Sequence, residues 1–280
     1  MNILRVKKLY GLLFVFLWLI IMAGCAAGPA IHRPAAVPEM RPGMLKGYLD
    51  PKTNFGSSAV LVPPPPGEGS TALALDEEYS KRCLALHNTP RWKQAAIDAK
   101  LKFPEAANVF SCALGVPITE KETPYLYMLL RRTLTDAGFS TYGAKRKYNR
   151  KRPFMVNNQP MCTPHAKAKL ENNGSYPSGH TATGWAWALI LAEITPERAN
   201  AILARGRAFG ESRNVCNVHW HSDVIEGRFM GAATVARLHA DPLFCSDLEA
   251  AKAEVTALRA KGAKPAVNCE EEAAAISIQP

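Results

Sequence analysis

The sequence predicts an all-α protein, organised as a single-domain helical bundle. Two observations support this fold class. Apolar residues recur at helical spacing in several segments after Asp76, and no run shows the alternation of apolar and β-branched residues that is typical of strands. The chain has 280 residues, of which 48% are hydrophobic and 21% charged. It is therefore long enough to bury a sizeable core, and its composition excludes general disorder and a small disulfide-stapled scaffold.

The first 25 residues have the pattern of an export signal. Three basic residues precede an almost unbroken apolar run, Leu9 to Met22, which is too short for a comfortable membrane span. Met22 to Cys25 resembles the bacterial lipobox, in which the cysteine is lipidated, and Ala26 after it points to the outer membrane. The alternative is an ordinary signal peptide cut a few residues later, with Cys25 discarded. Either way we expect a periplasmic protein.

The remaining cysteines fit an oxidising compartment. They form an even set that allows up to three disulfides and 15 pairings, among which the sequence does not choose. These residues are Cys83, Cys112, Cys162, Cys216, Cys245 and Cys269. The whole chain carries a net charge of +10, and loss of the signal segment with its three basic residues leaves +7. A basic protein favours anionic partners, but charge alone does not say which.

A proline-rich stretch separates the signal from the helical domain. Prolines recur from residue 29 and include a run of four, Pro63 to Pro66, a composition that favours extended backbone over packed helices. We expect residues 26–45 to form a tether that becomes ordered near Lys46, and residues 46–250 to form the domain.

Six segments show the helical pattern. They are Asp76 to His87, Arg91 to Leu101, Thr123 to Ala137, Thr181 to Glu193, Pro196 to Gly210, and Ser222 to His239. Thr195 and Pro196 place a hydroxyl cap before a proline at the first helical position. The tail, residues 251–280, mixes glycine, proline and acidic residues, and we expect it to be loosely held, with Cys269 as its candidate attachment.

Three short motifs carry the candidate chemistry. The first is a basic run, residues 145–152, with six cations in eight positions before Pro153. On one helix Lys145 and Arg152 would lie seven residues apart, about two turns, and point from the same face toward one dianion. The alternatives are a solvated basic face or a nucleic-acid patch, and an export signal excludes a nuclear address.

The second motif, Tyr176 to His180, precedes an apolar helix. It places backbone N–H groups, the Ser178 hydroxyl and a glycine that permits close approach, Gly179, at a helix N-terminus, which is a preformed anion site. His180 at its mouth has an ordinary pKa near 6.5, suited to donating and accepting a proton. The alternative is a turn with a hydrogen-bonded structural histidine.

The third motif joins Arg213, suited to phosphate oxygens, to His219 and Asp223. Asp223 follows His219 by four residues, so its carboxylate can hold one imidazole nitrogen and leave the other free to attack. His219, His221 and Asp223 would instead offer three metal ligands if they lay on a strand. We favour the first interpretation because residues 222 and 223 have the character of a helix start.

Together the three motifs resemble the signature of the phosphatidic acid phosphatase type 2 superfamily, which includes the vanadium haloperoxidases. The order is Lys-x6-Arg-Pro, then Pro-Ser-Gly-His, then Ser-Arg-x5-His-x3-Asp. Flanking segments from about residue 46 to 250, such as Phe110 to Gly115 and Gly210 to Arg213, are similar to the bacterial class A nonspecific acid phosphatases. The resemblance implies an all-α fold of the vanadium haloperoxidase-like acid phosphatase type.

The resemblance also implies metal-independent hydrolysis of phosphate monoesters, without a cofactor. It assigns His219 as the nucleophile that forms a phosphohistidine, Asp223 as the group that orients it, and His180 as the general acid. The residues that it assigns to the phosphoryl oxygens are Lys145, Arg152, Ser178, Gly179 and Arg213. His221 departs from the family pattern, which has glutamine there, and we expect it to alter pH profile or substrate preference rather than the core chemistry.

Other functions share the same motifs. A haloperoxidase would use the same anion cradle, a lipid-phosphate phosphatase would suit a lipid-anchored site at the membrane surface, and a phosphate- or vanadate-binding lipoprotein would need no turnover. The intact catalytic residues favour the enzyme. The expected partners are phosphomonoester substrates and, through Cys25, a membrane. No nucleic-acid partner is expected, and a homo-oligomer is compatible with the sequence.

Overall fold

The computed structural model describes residues 34–54 and 57–280. The expected signal segment, residues 1–25, and its lipidation candidate Cys25 lie outside the described residues. Among the described helices, none is both long and apolar enough to cross a bilayer.

The expected all-α fold is confirmed. The α-helices, in chain order, are α1 Pro51–Asn54, α2 Ser58–Leu61, α3 Thr71–Leu84, α4 Pro90–Asp98, α5 Ser111–Leu114, α6 Pro124–Ser140, α7 Tyr142–Tyr148, α8 Pro153–Asn157, α9 Lys167–Glu171, α10 Gly179–Ile194, α11 Ala199–Val215, α12 His221–Leu238, α13 Pro242–Ala260 and α14 Cys269–Ser277. Short 3-10 turns cover Glu105–Phe110, Pro164–Ala166 and Pro196–Arg198. The two strands, β1 Glu39–Arg41 and β2 Met44–Leu45, pair as an antiparallel hairpin.

The six predicted helices are all present, with shifted ends. The helix predicted from Asp76 begins at Thr71, because the Ser70 hydroxyl caps it by accepting the N–H of Leu73 at 3.1 Å. The helix predicted to end at Gly210 continues to Val215 as α11. Gly210 lies inside this helix and not at its end. The absence of a side chain there lets α11 approach Thr181 and Val224 closely. The extension matters because it places Arg213 on a helix.

Helix α10 forms the centre of the fold. It packs against α6, α11 and α12, and most of its residues are buried, so it is apolar on all sides rather than amphipathic. Trp187 is fully buried there, and its indole N–H donates to the carbonyl of Leu130 on α6 at 3.1 Å. The N-terminus of this central helix therefore has a fixed position inside the bundle.

Order in the N-terminal region begins before Lys46, earlier than expected. The hairpin lies within the predicted tether, and the segment after it is held by α6: Arg132 donates to the carbonyls of Lys46 and Gly47, and Asp136 accepts the N–H groups of Tyr48 and Leu49. The expected ordered arm near Lys46 thus docks through buried polar groups.

The expectation of a loosely held tail is wrong. Residues Pro34–Pro280 form one compact unit, and the predicted boundary at residue 250 falls inside α13, which buries Ala251 and Val255. Cys269 is the attachment that the sequence suggested, since it forms a disulfide with Cys112. A second disulfide joins Cys162 to Cys216. The other two cysteines among the described residues, Cys83 and Cys245, are free thiols.

Candidate active site

The Ser178 turn seats the N-terminus of α10 against α12. The Ser178 N–H donates to the carbonyl of Asp223 at 2.9 Å, and Gly227 allows this approach because a Cβ there would collide with the Ser178 carbonyl. The Ser178 hydroxyl caps the helix by accepting from the N–H of Thr181 at 3.2 Å and from its hydroxyl at 2.9 Å. Its own proton is left to donate elsewhere. The first amides of α10, at Gly179 and His180, lie where helix geometry provides no intrahelical acceptor.

His219 and Asp223 form the pair that the sequence spacing suggested. His219 precedes α12, and its Nδ1 lies 3.1 Å from Asp223 Oδ2 on the first turn of that helix. The same carboxylate oxygen accepts the N–H of Trp220 at 2.9 Å. Because Nδ1 donates to Asp223, the proton-free nitrogen of a neutral imidazole is Nε2, which accepts from Arg152 Nη1 at 3.1 Å.

Lys145 and Arg152 reach the site from different elements, which corrects the sequence interpretation of one shared helix. Helix α7 ends at Tyr148, Asn149 takes a left-handed conformation with a φ of 40°, and Arg152 is extended, with a ψ of 156°. Pro153 explains the extended Arg152 and the start of α8, since proline restricts the preceding residue to extended backbone and favours the first position of a new helix.

Both cations are nevertheless buried beside the third motif. Lys145 Nζ donates to the carbonyls of Gly174 and Ser175 at 2.7 and 3.0 Å. Arg152 Nη1 donates to the carbonyl of Val218 at 2.9 Å and contacts His219 Nε2 at 3.1 Å. Burial lowers the pKa of Lys145, and the charge of Arg152 lowers it further. Burial likewise lowers the pKa of Arg152, to about 10.

Arg213 contributes a buried cation with free donors. It lies on the last turn of α11, only 2% of it is exposed, and its Nε and Nη1 have no hydrogen-bond partner among the described residues. Burial lowers its pKa to about 9, and Arg152 acts in the same direction. A desolvated guanidinium is unfavourable unless an anion compensates it. The unpartnered N–H groups therefore point to a place for the oxygens of an anion.

His180 lies on the first turn of α10, with its Nε2 3.1 Å from the carbonyl of Ala99. Burial lowers its pKa well below the usual range for histidine, and the Arg213 charge lowers it further. The pKa of His219 is lowered in the same way, first by burial and then by Arg152 and Lys145. Burial and the neighbouring cations thus favour the neutral form of both imidazoles, and a bound dianion would oppose the effect of the cations.

The alternative metal site is not assembled. Asp223 lies on a helix rather than a strand, and the ring of His221 packs on Tyr79, with 4.4 Å between the ring centroids. Within residues 34–54 and 57–280, no three His, Cys, Asp or Glu side chains form a group suited to a metal ion.

Sequence reasoning missed several groups that support the site. Arg150 in the basic run donates to Asp223 Oδ1 at 2.7 Å and to Asp76 Oδ2 at 2.7 Å. Asn214 fixes the backbone of His219 by donating to its carbonyl at 2.9 Å. Arg150 lies in the basic run that the sequence singled out, but nothing in the sequence distinguished it from the neighbouring cations as the partner of Asp223.

A second buried network supports α11 at the residue before Arg213. The Ser212 hydroxyl donates to Asp98 Oδ2 at 2.6 Å and accepts from Arg91 at 2.9 Å. Asp98 also pairs with Arg205, which in turn contacts Glu272 of α14 at 3.3 Å. The C-terminal helix is thereby connected to the helix that carries Arg213.

Comparison with known proteins identifies the family. Residues 123–244 match the model of the PAP2 superfamily. The chain is 46% identical over 203 residues to a non-specific acid phosphatase of Providencia stuartii, covering 72% of this chain and 82% of that protein. The chain belongs to the bacterial non-specific acid phosphatase family. The family expected from the three motifs is thus confirmed, and with it the phosphatase function at the level of the family.

Two further relatives of this acid phosphatase family agree. The chain is 42% identical over 200 residues to a non-specific acid phosphatase of Salmonella typhimurium, covering 71% of this chain and 80% of that protein. It is 39% identical over 213 residues to an acid phosphatase of Zymomonas mobilis, covering 76% and 81% respectively.

Proposed function

We propose that this protein is an exported acid phosphatase that hydrolyses phosphate monoesters through a phosphohistidine on His219. The observation that carries the proposal is the set of three buried cations, Lys145, Arg152 and Arg213, around an oriented histidine. Phosphoryl transfer requires mainly positioning and stabilisation of the charge on the equatorial oxygens, and buried cations provide both. The free N–H groups of Arg213, the Ser178 hydroxyl and the first amides of α10, including that of Gly179, complete the cradle.

In the first step His219 Nε2 attacks phosphorus while the bond from phosphorus to the ester oxygen breaks. His180 protonates the departing oxygen, so an alcohol leaves and the phosphoryl group remains on His219. Asp223 stabilises the positive charge that develops on the imidazole by accepting from Nδ1. In the second step neutral His180 removes a proton from water, which attacks phosphorus and releases phosphate.

The lowered pKa of His219 agrees with catalysis at acidic pH. His219 must be neutral to attack, and burial beside Arg152 keeps its pKa low, so the imidazole stays neutral well below pH 7. His180 must be protonated when the ester bond breaks, and a bound phosphate dianion raises its pKa. These opposite requirements give a bell-shaped pH dependence with an optimum on the acidic side of neutrality.

The activity test is direct. We expect His219→Ala to abolish hydrolysis of p-nitrophenyl phosphate with the fold retained, and Asp223→Asn to lower kcat severely because the imidazole loses its orienting acceptor. The wild type should remain active in EDTA and be inhibited by vanadate and, competitively, by phosphate. Loss of activity in EDTA with recovery in zinc would contradict the metal-independent mechanism.

We further propose that Cys25 is lipidated and anchors the protein to the outer membrane. The lipobox-like segment and the basic, apolar order of residues 1–24 support this. Fractionation of cells that express the wild type or Cys25→Ala tests it. Release of the variant from the membrane fraction is expected, and an unlipidated mature wild type by mass spectrometry would refute it.

A further inference from the structure

We propose that Arg150 is a positioning residue, which holds the Asp223 carboxylate ionised and aimed at His219, and that Asp76 holds Arg150 in place. This inference rests on the proposed roles of His219 and Asp223.

The geometry divides the two oxygens of Asp223 between two tasks. Oδ2 faces His219 Nδ1 at 3.1 Å, whereas Oδ1 accepts from Arg150 Nη1 at 2.7 Å. The side chain of Asp223 is fully buried and that of Arg150 is 10% exposed. A short charge-assisted bond in such surroundings fixes the orientation of the carboxylate plane and hence that of the imidazole.

Asp76 on α3 binds the second Nη group of Arg150. Its side chain is 1% exposed, and it accepts from Arg150 Nη2 at 2.7 Å, from the Ser222 N–H at 2.7 Å and from the Ser222 hydroxyl at 2.6 Å. Ser222 Oγ also accepts from Arg150 Nη1 at 2.8 Å. These bonds join α3, the loop after α7 and the first turn of α12, so Arg150 cannot turn away from Asp223 without breaking several of them.

Charge balance separates Arg150 from the cations of the cradle. Arg150 is compensated by two carboxylates, Asp76 and Asp223, whereas Arg213 has free donors. Arg150 is therefore assigned to the catalytic carboxylate rather than to substrate oxygens. Burial raises the pKa of Asp223, and Arg150 is the largest of the influences that lower it. The charged or titratable groups around Asp223 are His219, Lys145, Arg150, Arg152 and Tyr176.

Loss of the Arg150 charge should make Asp223 easier to protonate. A protonated carboxyl no longer provides full charge stabilisation for the imidazole. The acidic limb of the pH profile should consequently move to higher pH in Arg150→Gln, by about 1–3 units, which is the usual influence of an adjacent arginine. We expect kcat at the wild-type optimum to fall roughly 10- to 100-fold, by analogy with the loss when hydrogen-bond partners that orient a metal-ligating histidine are removed.

The experiment compares Arg150→Gln, Arg150→Lys and the control Arg146→Gln, which removes an exposed cation of the same basic run. The measurements are kcat, KM, the inhibition constant of inorganic phosphate and the pH profile with p-nitrophenyl phosphate. We expect Arg150→Gln to lose kcat and shift the acidic limb while KM and phosphate inhibition change little. Arg150→Lys should keep the limb near that of the wild type and recover part of kcat, and Arg146→Gln should match the wild type.

A wild-type kcat and pH profile in folded Arg150→Gln would overturn the inference, as would a change in thermal stability alone. If Arg150→Gln does not fold, Arg150→Lys decides: it keeps the charge but cannot bridge both carboxylates, so an unchanged kcat refutes the inference. Asp223→Asn and His219→Ala in the same assay distinguish failure of the proposed function from failure of the inference about Arg150. Near-wild-type activity in those variants refutes the proposed function, whereas their expected losses beside a wild-type-like Arg150→Gln refute only this inference.

Discussion

Replacing Arg213 with methionine should stabilise the protein and destroy its activity at the same time. The guanidinium is 2% exposed, and its Nε and Nη1 have no partner among the described residues. Burial, together with the charge of Arg152, lowers its pKa from the ordinary value for arginine to about 9. That drop corresponds to an upper limit of about 5 kcal/mol by which the fold disfavours the charged form.

The sign of the stability change follows from the linkage between proton binding and folding. The folded pKa lies below the unfolded one, so the penalty is full below about pH 9 and is relieved as the pH rises toward the ordinary pKa of arginine. At neutral pH methionine removes the charge and keeps most of the apolar stem. Since water and reorganisation already reduce the penalty, we expect a gain of about 1–3 kcal/mol in the free energy of unfolding. Loss of the donors to the transition state should lower kcat by about 100- to 1,000-fold.

The assay pairs urea unfolding with turnover of p-nitrophenyl phosphate. Added phosphate should raise the unfolding midpoint of the wild type and have a much smaller effect on Arg213→Met. Arg207→Met is the matched control on the same helix, because this arginine is 70% exposed and pairs with Glu211. It should change stability by less than about 1 kcal/mol and leave kcat unaltered. A destabilised Arg213→Met, or one with wild-type kcat, would refute the assignment of Arg213 to the anion cradle.

Three other outcomes are expected. His180→Ala should slow alkyl phosphates far more than p-nitrophenyl phosphate, because the aryl leaving group needs no proton, and an unchanged ratio of rates would show that His180 is not the general acid. Burial raises the pKa of Asp136 from 3.8 to about 6, so this residue favours folding below about pH 4 and loses that contribution as the pH rises through 6. The difference in free energy of unfolding between the wild type and Asp136→Asn, measured by urea titration, should therefore shrink by up to about 3 kcal/mol from pH 4 to pH 7. Removing the Cys112–Cys269 disulfide, which spans 157 residues, should cost up to about 5 kcal/mol of stability with little change in kcat, measured on Cys269→Ala with a reduced wild type for comparison.

The sequence predicted the elements whose local signals are strong. The helices around the site were expected because their apolar periodicity and start signals agree, and the pairing of His219 with Asp223 was expected because both lie within one short segment. Where the local pattern misled, a specific residue explains it. A helix shared by Lys145 and Arg152 is broken at Asn149, which is left-handed, and Pro153 keeps Arg152 extended. Gly210 is a packing contact inside α11 rather than its end.

The supporting groups escaped prediction because they act over long sequence distances. Asp76 meets Ser222 across 146 positions, and nothing near either residue indicates the contact. The tail was expected to be loose because its composition is mixed, whereas a disulfide and the contact of Glu272 with Arg205 hold it in place. Such contacts depend on how the helices pack and not on local propensity.

The central claim is that His219 carries the phosphoryl group, and the most direct measurement is a rapid-quench experiment on His180→Ala with p-nitrophenyl phosphate. In this variant the aryl ester can still phosphorylate His219, but water lacks its general base, so the phosphoenzyme should accumulate. We predict a stoichiometric burst of nitrophenolate and, after denaturation in alkali, a peptide phosphorylated on His219. Absence of both the burst and the modified peptide, or phosphate on a different residue, would contradict the account.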